Sequence, residues 1–114
     1  MLVPSKLIVW LHGEVKTPPF SPQGRVEAGY LLRLLQEGEH LSMPDSRPMP
    51  GIGPNCHELR VVDDKVTWRI LYGLRSDAIV VLEVFEKKTR ATPKYVVKVA
   101  RARWKKYLHD AEEE

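Results

Sequence analysis

The sequence has little of what several common classes of active site require. It contains a single cysteine, Cys56, so no disulfide can form within the chain, and a reducing compartment is favoured. Neighbouring strand residues point to opposite faces, so Cys56 and His57 do not predict a nucleophile and its base. The other histidines are scattered, and no metal site is predicted. The segment Gly51-Ile52-Gly53 precedes a predicted strand, so it is not a phosphate loop.

Long hydrophobic runs are also missing. The longest run near the N-terminus, Leu7 to Leu11, is too short for the core of a signal peptide. No stretch approaches the roughly 20 apolar residues of a membrane span. We therefore expect a cytoplasmic protein without membrane contact. The 114 residues predict one domain, residues 1–114.

Positive charge is concentrated in the last third of the chain. Between Glu86 and Tyr107 there are nine Lys or Arg residues against one acidic residue, a net of +8, whereas the whole chain carries +3. This segment begins where a strongly apolar predicted strand ends, so one edge of the fold should present a positive patch. Such a patch attracts polyanions, and nucleic acid is the usual partner.

Local patterns in the first half predict a strand, a helix and a long loop. Lys6 to His12 is apolar and ends at a glycine, as a short strand does. Ser21-Pro22 combines a capping hydroxyl with proline at the first helical position, and Gly38 is a plausible stop. The loop Leu41 to Pro54 is long for a compact domain, which suggests a function in it; a plain wrapped connection explains it equally well. The predicted buried stripe of the helix comprises Val26, Tyr30, Leu34 and Leu35, widened by Leu31 and Leu32.

The second half predicts three strands. His57 to Val62 and Val66 to Leu74 both alternate, and a four-residue connection would pair Val61 with Val66. In that register Glu58 lies opposite Arg69. Ala78 to Phe85 is apolar except at Glu83, which indicates a strand covered on both faces.

A final helix is predicted to begin at Thr92-Pro93. Its apolar stripe comprises Val96, Val99, Ala100, Trp104, Tyr107 and Leu108. Trp104 and Tyr107 are expected in the core rather than as base-stacking groups. The fold class is therefore α+β: a small single domain with a mainly antiparallel sheet, one or two N-terminal helices and a C-terminal helix.

Five cations are predicted to converge on one concave spot. Arg60 and Arg69 share a face of adjacent strands, and Lys87, Lys88 and Arg90 follow the last strand. Arginine offers paired donors to phosphate and lysine offers compact charge, which together suit RNA cleavage by attack of a 2′-hydroxyl on its own phosphodiester. The alternatives are surface ion pairs for the arginines and a solvated helix face for the series from Lys94 to Lys106.

Several short motifs occur in an order that resembles one known family. They are His57-Glu58-Leu59-Arg60-Val61, Trp68-Arg69-Ile70-Leu71-Tyr72, the run from Phe85 to Pro93, and Ala100-Arg101-Ala102-Arg103. Together they resemble the RelE/HigB superfamily of bacterial toxins, and most closely its phage-derived branch. The resemblance covers about residues 21 to 108.

The resemblance implies a RelE-like fold and the toxin of a type II toxin–antitoxin system. Such a toxin is an endoribonuclease that cleaves mRNA, usually on the ribosome, and inhibits translation without a metal or other cofactor. A cognate antitoxin, often of the helix-turn-helix type, neutralises it. Catalytic roles then fall to Arg69, Arg60, Lys87, Lys88 and Glu58. Contacts to RNA or the ribosome fall to Arg90, Lys94, Lys98, Arg101 and Lys105.

The chain also departs from the family pattern. Cys56 and Glu58 stand where the well-studied ribosome-dependent members carry lysines. Glu58, taken as exposed, is a candidate general base, or else it orients Arg60 or Arg69. The alternative functions are a catalytically inactive nucleic-acid-binding regulator on the same fold, with a gyrase poison as a variant, and a phage structural protein.

Overall fold

A computed structural model describes residues 5–11, 15 and 18–112. These residues form five strands and two helices: β1 (Leu7–Trp10), α1 (Pro22–Gln36), β2 (Ser46–Pro48), β3 (Cys56–Asp63), β4 (Val66–Leu74), β5 (Ala78–Glu86) and α2 (Lys94–Glu112). The strands form one sheet in the order β1-β5-β4-β3-β2. β1 runs parallel to β5, and the other three pairings are antiparallel. The predicted α+β class with a mainly antiparallel sheet is confirmed.

One helix packs on each face of the sheet. On the first face, α1 covers a core that includes Leu59, Ile70 and Ile79. On the second face, α2 packs against β5 over a core that includes Val80 and Trp104. Helix α2 lies along β5, and its Trp104 ring also lies against Gly73 of β4. Only the part of β3 and β4 that carries Glu58, Arg60 and Arg69 is therefore left beside the helix. Of the helices in the described part of the chain, neither has the length and apolar content needed to cross a membrane.

The first strand is shorter than predicted. It spans Leu7–Trp10 and lies at the edge of the sheet. The predicted end at His12 lies outside the described residues. Lys6 joins this edge to the end of α1, because its N–H donates to the Gln36 carbonyl at 3.0 Å and its carbonyl accepts from Gln36 Nε2 at 2.8 Å.

Helix α1 begins as predicted but buries a different face. Ser21 caps it, and Pro22 is its first residue. The predicted stripe is wrong at Val26 and Tyr30, which are 73% and 59% exposed, and right at Leu31 and Leu35. The remaining buried positions are Gly24 and Ala28.

Asp63 explains why a glycine is buried in the first turn of α1. Its carboxylate accepts from both the backbone N–H and the hydroxyl of Ser21, and these bonds lower the pKa of Asp63. A Cβ at Gly24 would lie 2.4 Å from that carboxylate. The helix therefore places Gly24 against the end of β3, and the larger apolar side chains of Val26 and Tyr30 face outward.

The predicted loop from Leu41 to Pro54 contains a short strand that the sequence did not indicate. β2 pairs antiparallel with β3, placing Ser46 opposite Leu59 and Arg47 opposite Glu58. Ser46 is buried, and its Oγ lies 2.7 Å from the Tyr72 hydroxyl. At three residues β2 is too short for a period-two pattern, and its proline is compatible only with an edge strand.

The predicted register of the β3–β4 hairpin is wrong by two residues. Val61 pairs with Trp68 rather than Val66, and Arg60 rather than Glu58 lies opposite Arg69. The connection is a two-residue turn, because Asp63 already belongs to β3 and pairs with Val66. Asp64 supplies the positive φ of 53° that such turns require.

Strand β5 contains a bulge that changes which side chains point to the face of the sheet that α2 covers. Leu71 pairs with Glu83 and the next residue, Tyr72, pairs with Val81, so Leu82 is an extra residue. Leu82 belongs to the core beneath α2, and Phe85 also packs there. An unbroken alternation from Leu82 would instead have sent positions 84, 86 and 88 to that face.

Helix α2 begins at Lys94, one residue after Pro93, its predicted first residue. The hydroxyl of Thr92, the predicted cap, donates to Glu58 and accepts from Arg47 Nη2. Trp104 is 3% exposed and lies in the core, as expected, and its ring stacks on Tyr107. Val99 is the exception in the predicted stripe, since it lines a surface hollow with Ala102, Arg103 and Lys106.

Two glycines give a matched test of this packing. A Cβ at Gly73 would lie 2.4 Å from the Trp104 ring, whereas a Cβ at Gly29 meets nothing within 4 Å. We expect Gly73→Ala to lower the free energy of unfolding by about 1–3 kcal/mol through overpacking. Gly29→Ala should raise it by up to ~1 kcal/mol through helix propensity. Urea denaturation measures both, and a Gly73→Ala protein as stable as the parent would contradict the described contact.

Candidate phosphate-binding site

A pocket of about 260 Å³ opens on the sheet face beside α2. Its floor comes from β3, β4 and the residue after β5, and one wall comes from β2 and the loop before it. The lining residues are Met43, Pro44, Ser46, Arg47, Glu58, Arg60, Arg69 and Lys87. Four of these are basic and one is acidic, so the lining carries an excess of three positive charges.

Glu58 lies at the centre of this pocket, and its side chain is completely buried. Its Oε1 accepts from Arg47 Nε at 3.0 Å and lies 3.6 Å from Lys87 Nζ and 3.7 Å from Arg69 Nε. Its Oε2 accepts from the Thr92 hydroxyl at 2.7 Å. The Glu58 carboxylate is therefore contacted by cations from β2, β4 and the end of β5, and by a hydroxyl from the loop that leads into α2.

The topology of the sheet brings these side chains together. Arg60 and Arg69 are directly opposite each other on β3 and β4, so they share a face, as predicted. Glu58 lies two residues before Arg60 on the same face, and Arg69 reaches it diagonally. Phe85 lies opposite Arg69, and Lys87 continues that alternation two residues later. The bulge in β5 is thus the reason that Lys87 reaches Glu58.

Partial burial shifts the pKa values of two cations in the pocket. Burial lowers the pKa of Lys87, and Arg69 and Arg47 lower it further, while Glu58 raises it. Burial likewise lowers the pKa of Arg69, with Glu58 again opposing the shift and Arg60 and Arg47 adding to it. Both pKa values are lowered because these positive charges are less solvated than usual and repel one another. An anionic ligand would relieve that repulsion.

Arg60 differs from the other cations of the pocket. Within the described part of the chain, no carboxylate pairs with its guanidinium, whereas Arg47, Arg69 and Lys87 all lie near Glu58. Its backbone N–H is held by the Asp45 carbonyl at 2.8 Å. Its backbone is thus fixed in the sheet, and its guanidinium lines the pocket without a carboxylate partner among the described residues.

The expected convergence of five cations holds for three of them. Arg60, Arg69 and Lys87 line the pocket. Lys88 does not, because it lines a separate hollow with Phe85, Glu86, Thr89, Pro93 and Tyr95. Arg90 is exposed and is not part of the pocket lining. The bulge explains the difference, since only one of two consecutive lysines can face the sheet's pocket side.

The expectation of an exposed Glu58 is wrong. A carboxylate with no solvent access and three neighbouring cations is poorly placed to take a proton from a substrate. The alternative expectation, that Glu58 orients an arginine, agrees with its contact to Arg69. The structure adds Arg47 and Lys87 to the groups that it holds.

The basic residues of α2 mostly face solvent. Lys94, Lys98 and Lys105 are exposed, in keeping with the predicted charged side of the helix. Arg101 is exposed but engaged, since its Nε and Nη2 donate to the Gly51 carbonyl at 2.9 and 2.6 Å. Arg103 is partly buried and ties α2 to β5 through the Leu82 carbonyl and Glu83.

Sequence reasoning missed Arg47, Thr92 and Met43 as parts of the site. Arg47 and Met43 lie in the segment predicted to be a loop, where its unusual length and the resemblance of Pro44-Asp45-Ser46-Arg47-Pro48 to the toxin family were the signals of a function. Thr92 was interpreted as a helix cap, which its position before Pro93 favours in any sequence. No sequence pattern links these three residues to Glu58. Only the tertiary structure brings them next to it.

Cys56 and His57 behave as ordinary structural residues. Cys56 is buried beneath α2, and burial raises the pKa of its thiol to about 12. His57 faces the other side of the sheet and stacks on Tyr72. Across residues 5–11, 15 and 18–112, His, Cys, Asp and Glu side chains form no group of three that could hold a metal ion.

The fold and the pocket define a small α+β protein with a cationic site suited to a phosphate-bearing ligand. Residues 19–105 match the family model of the phage-derived protein Gp49-like (DUF891). This match covers most of the chain, which therefore belongs to the Gp49-like family of phage-derived proteins. The family is associated with toxin–antitoxin modules. No curated protein matches the chain.

Glu58→Gln tests whether the carboxylate balances the cations. We expect the free energy of unfolding to fall by about 1–3 kcal/mol, because removing one partner of a buried ion pair costs several kcal/mol and partial solvent access of the cations reduces that cost. Added sodium phosphate should restore part of the loss. Thermal unfolding with and without phosphate measures both effects.

Glu86→Gln is the matched control, since Glu86 is exposed at the end of β5. It should change the unfolding free energy by no more than ~0.5 kcal/mol. Equal stability of the two variants would contradict the role described for Glu58.

Proposed function

We propose that this protein is the toxin of a toxin–antitoxin module and that it cleaves mRNA. The observation that carries the proposal is a pocket lined by four cations, three of them paired with one buried carboxylate, so that excess positive charge is open to a ligand. Membership of the Gp49-like family supports the toxin class. The motifs that resemble RelE/HigB toxins supply three of the four cations, Arg60, Arg69 and Lys87.

The pocket has the groups needed to stabilise cleavage by the neighbouring 2′-hydroxyl. In that reaction the 2′-oxygen bonds to phosphorus while the P–O5′ bond breaks, and the departing 5′-oxygen takes a proton from water. Negative charge grows on the non-bridging oxygens as phosphorus becomes five-coordinate. Arg60 and Arg69 are opposed across two strands, so their guanidinium donors can hold two of these oxygens. Each preorganised donor of this kind contributes on the order of 10²–10³ in rate. Glu58 acts as a positioning residue that keeps Arg69, Arg47 and Lys87 aimed at the same place.

Lys87 is the residue we assign to proton transfer. It lines the pocket, and burial lowers its pKa, so its neutral amine is more populated near neutral pH than that of an exposed lysine. Glu58 lacks solvent access, and among the described lining residues there is no histidine. An amine that accepts the 2′-hydroxyl proton becomes a cation beside Glu58, and this pairing stabilises the protonated form.

The outer surface of α2 fits the two partners expected of such a toxin. Lys94, Lys98 and Lys105 form an exposed cationic side that suits salt-sensitive contacts to ribosomal RNA. A toxin of this class also needs an antitoxin to neutralise it, and the module association of the family supports one. Arrest of translation would follow from cleavage of mRNA in the decoding site.

One observation favours a second candidate, a regulator that binds nucleic acid without cutting it. Among the described lining residues the only carboxylate is engaged in ion pairs, so proton transfer depends on Lys87 alone. If Lys87 stays protonated, the same pocket holds phosphate and does no chemistry. Primer extension on mRNA after induction separates the two, since cleavage within codons requires the nuclease.

Arg60→Ala is the sharpest test of the pocket, because Arg60 can be removed without breaking an ion pair with Glu58. We expect RNA cleavage to fall by about 100-fold or more and growth arrest on induction to be relieved. Arg69→Ala should act in the same direction with an added loss of stability. A primer-extension assay and growth curves provide the measurements.

The control for Arg60→Ala is Arg25→Ala, an exposed arginine of α1 on the opposite face of the sheet. It should remain as toxic as the parent. Circular dichroism must show both variants folded. Full toxicity of folded Arg60→Ala would overturn the assignment of the pocket.

Lys87→Arg distinguishes proton transfer from charge alone. Arginine keeps the positive charge but does not release its proton, so we expect a loss of about 10²–10⁴-fold in cleavage rate. The acid limb of the wild-type pH–rate profile should report a pKa below the usual lysine range, in the direction that burial shifts Lys87. Wild-type activity in the Lys87→Arg variant would rule out this role and leave Lys87 as a phosphate contact.

A further inference from the structure

We propose that the pocket takes a whole nucleotide unit of single-stranded RNA, with Met43 and Pro44 against the face of its nucleobase. This rests on the proposed function and adds a base-contacting wall to the phosphate site. The assignment concerns Met43 in particular, since no motif of the chain indicates a role for it.

The pocket is chemically divided. Arg60, Arg69 and Lys87 rise from its floor, whereas Met43 and Pro44 contribute an apolar surface to the same lining. Met43 is 68% exposed and belongs to neither hydrophobic core of the described residues. An exposed methionine is common by itself. One that lines a cationic pocket has an apolar surface available to the ligand that the cations attract.

The segment that carries Met43 is held in place. The Ser42 carbonyl accepts from the N–H groups of Asp45 and Ser46 at 2.9 and 3.1 Å. The Asp45 carbonyl accepts from the N–H of Arg60 at 2.8 Å, and the buried Ser46 hydroxyl contacts Tyr72. These bonds tie the segment directly to the strand that carries Arg60. The apolar wall and the phosphate donors therefore keep a constant spacing, which a nucleotide with a fixed base-to-phosphate distance requires.

The size of the pocket agrees with more than a phosphate. At about 260 Å³ the pocket is larger than a cavity of roughly 150 Å³ that accommodates a benzene ring. A phosphate group, with five heavy atoms, therefore does not fill a pocket whose lining includes Met43 and Pro44.

A nucleobase is the component of RNA that matches this wall. Its faces are flat and apolar, and they make favourable contacts with the polarisable sulfur of methionine. Every base presents such a face, so the wall favours the presence of a base without selecting one base from another. The inference therefore predicts a preference for nucleotides over sugar phosphates and no strong sequence preference from this contact.

The test compares three probes by calorimetry at low salt: inorganic phosphate, ribose 5-phosphate and adenosine 5′-monophosphate. With the wild-type protein we expect the nucleotide to bind about threefold to tenfold more tightly than the sugar phosphate. Met43→Ser should remove this preference and leave the affinity for inorganic phosphate unchanged. Because Met43 is exposed, the variant should fold normally, and its melting temperature checks that.

Val26→Ser is the control, since Val26 is equally exposed but lies on α1, which covers the opposite face of the sheet. It should keep the nucleotide preference. Wild-type protein that binds sugar phosphate and nucleotide equally, or a Met43→Ser variant that keeps the preference, overturns the inference.

The outcomes also separate this inference from the proposed nuclease. Phosphate binding without a base preference overturns the inference alone. A base preference that depends on Met43 supports it even if RNA is never cut, which would overturn only the nuclease. Absence of binding by all three probes removes the phosphate site on which both depend.

Discussion

The ion pairing around Glu58 is the constraint on which the candidate site depends. A carboxylate with no solvent access must be paired, and here its partners come from β2, β4 and the end of β5. The pairing also fixes the loop before α2, since Thr92 donates to the same carboxylate. One side chain thus links four segments that are distant in sequence. Because one negative charge cannot balance four positive ones, the fold retains a positive field at the pocket.

The sheet makes this arrangement possible through two local irregularities. The short strand β2 extends the sheet beyond β3 and places Arg47 opposite Glu58. The bulge in β5 adds one residue, so that Lys87 rather than Lys88 turns toward the pocket. Helix α2 then covers β5 and one end of β3 and β4, and leaves the stretch with Glu58, Arg60 and Arg69 beside it. The site is therefore a consequence of how the helix and the strand irregularities divide one face of the sheet.

The sequence was sufficient for the fold class and for the shared face of Arg60 and Arg69. The prediction that Arg60 and Arg69 share a face was correct although the predicted hairpin register was wrong by two residues. A shift of two residues keeps every side chain on the same face, because side chains alternate with a period of two. The sequence could not predict which of Lys87 and Lys88 faces the pocket, because a bulge in a uniformly apolar strand does not change the sequence pattern. The buried face of α1 was also misjudged. Tyr30 and Val26 are larger and more apolar than Gly24, but the approach of Asp63 leaves no space for a side chain at that position.

The unbalanced charge of the pocket has a practical consequence for handling the protein. Sulfate or phosphate in a purification buffer would occupy the positive field, raise the melting point by mass action and compete with any polyanionic ligand. A preparation that looks well behaved in such a buffer is then a poor starting material for measuring affinity. Zwitterionic buffers with chloride salts leave the guanidinium and ammonium groups available and let weak ligands be seen.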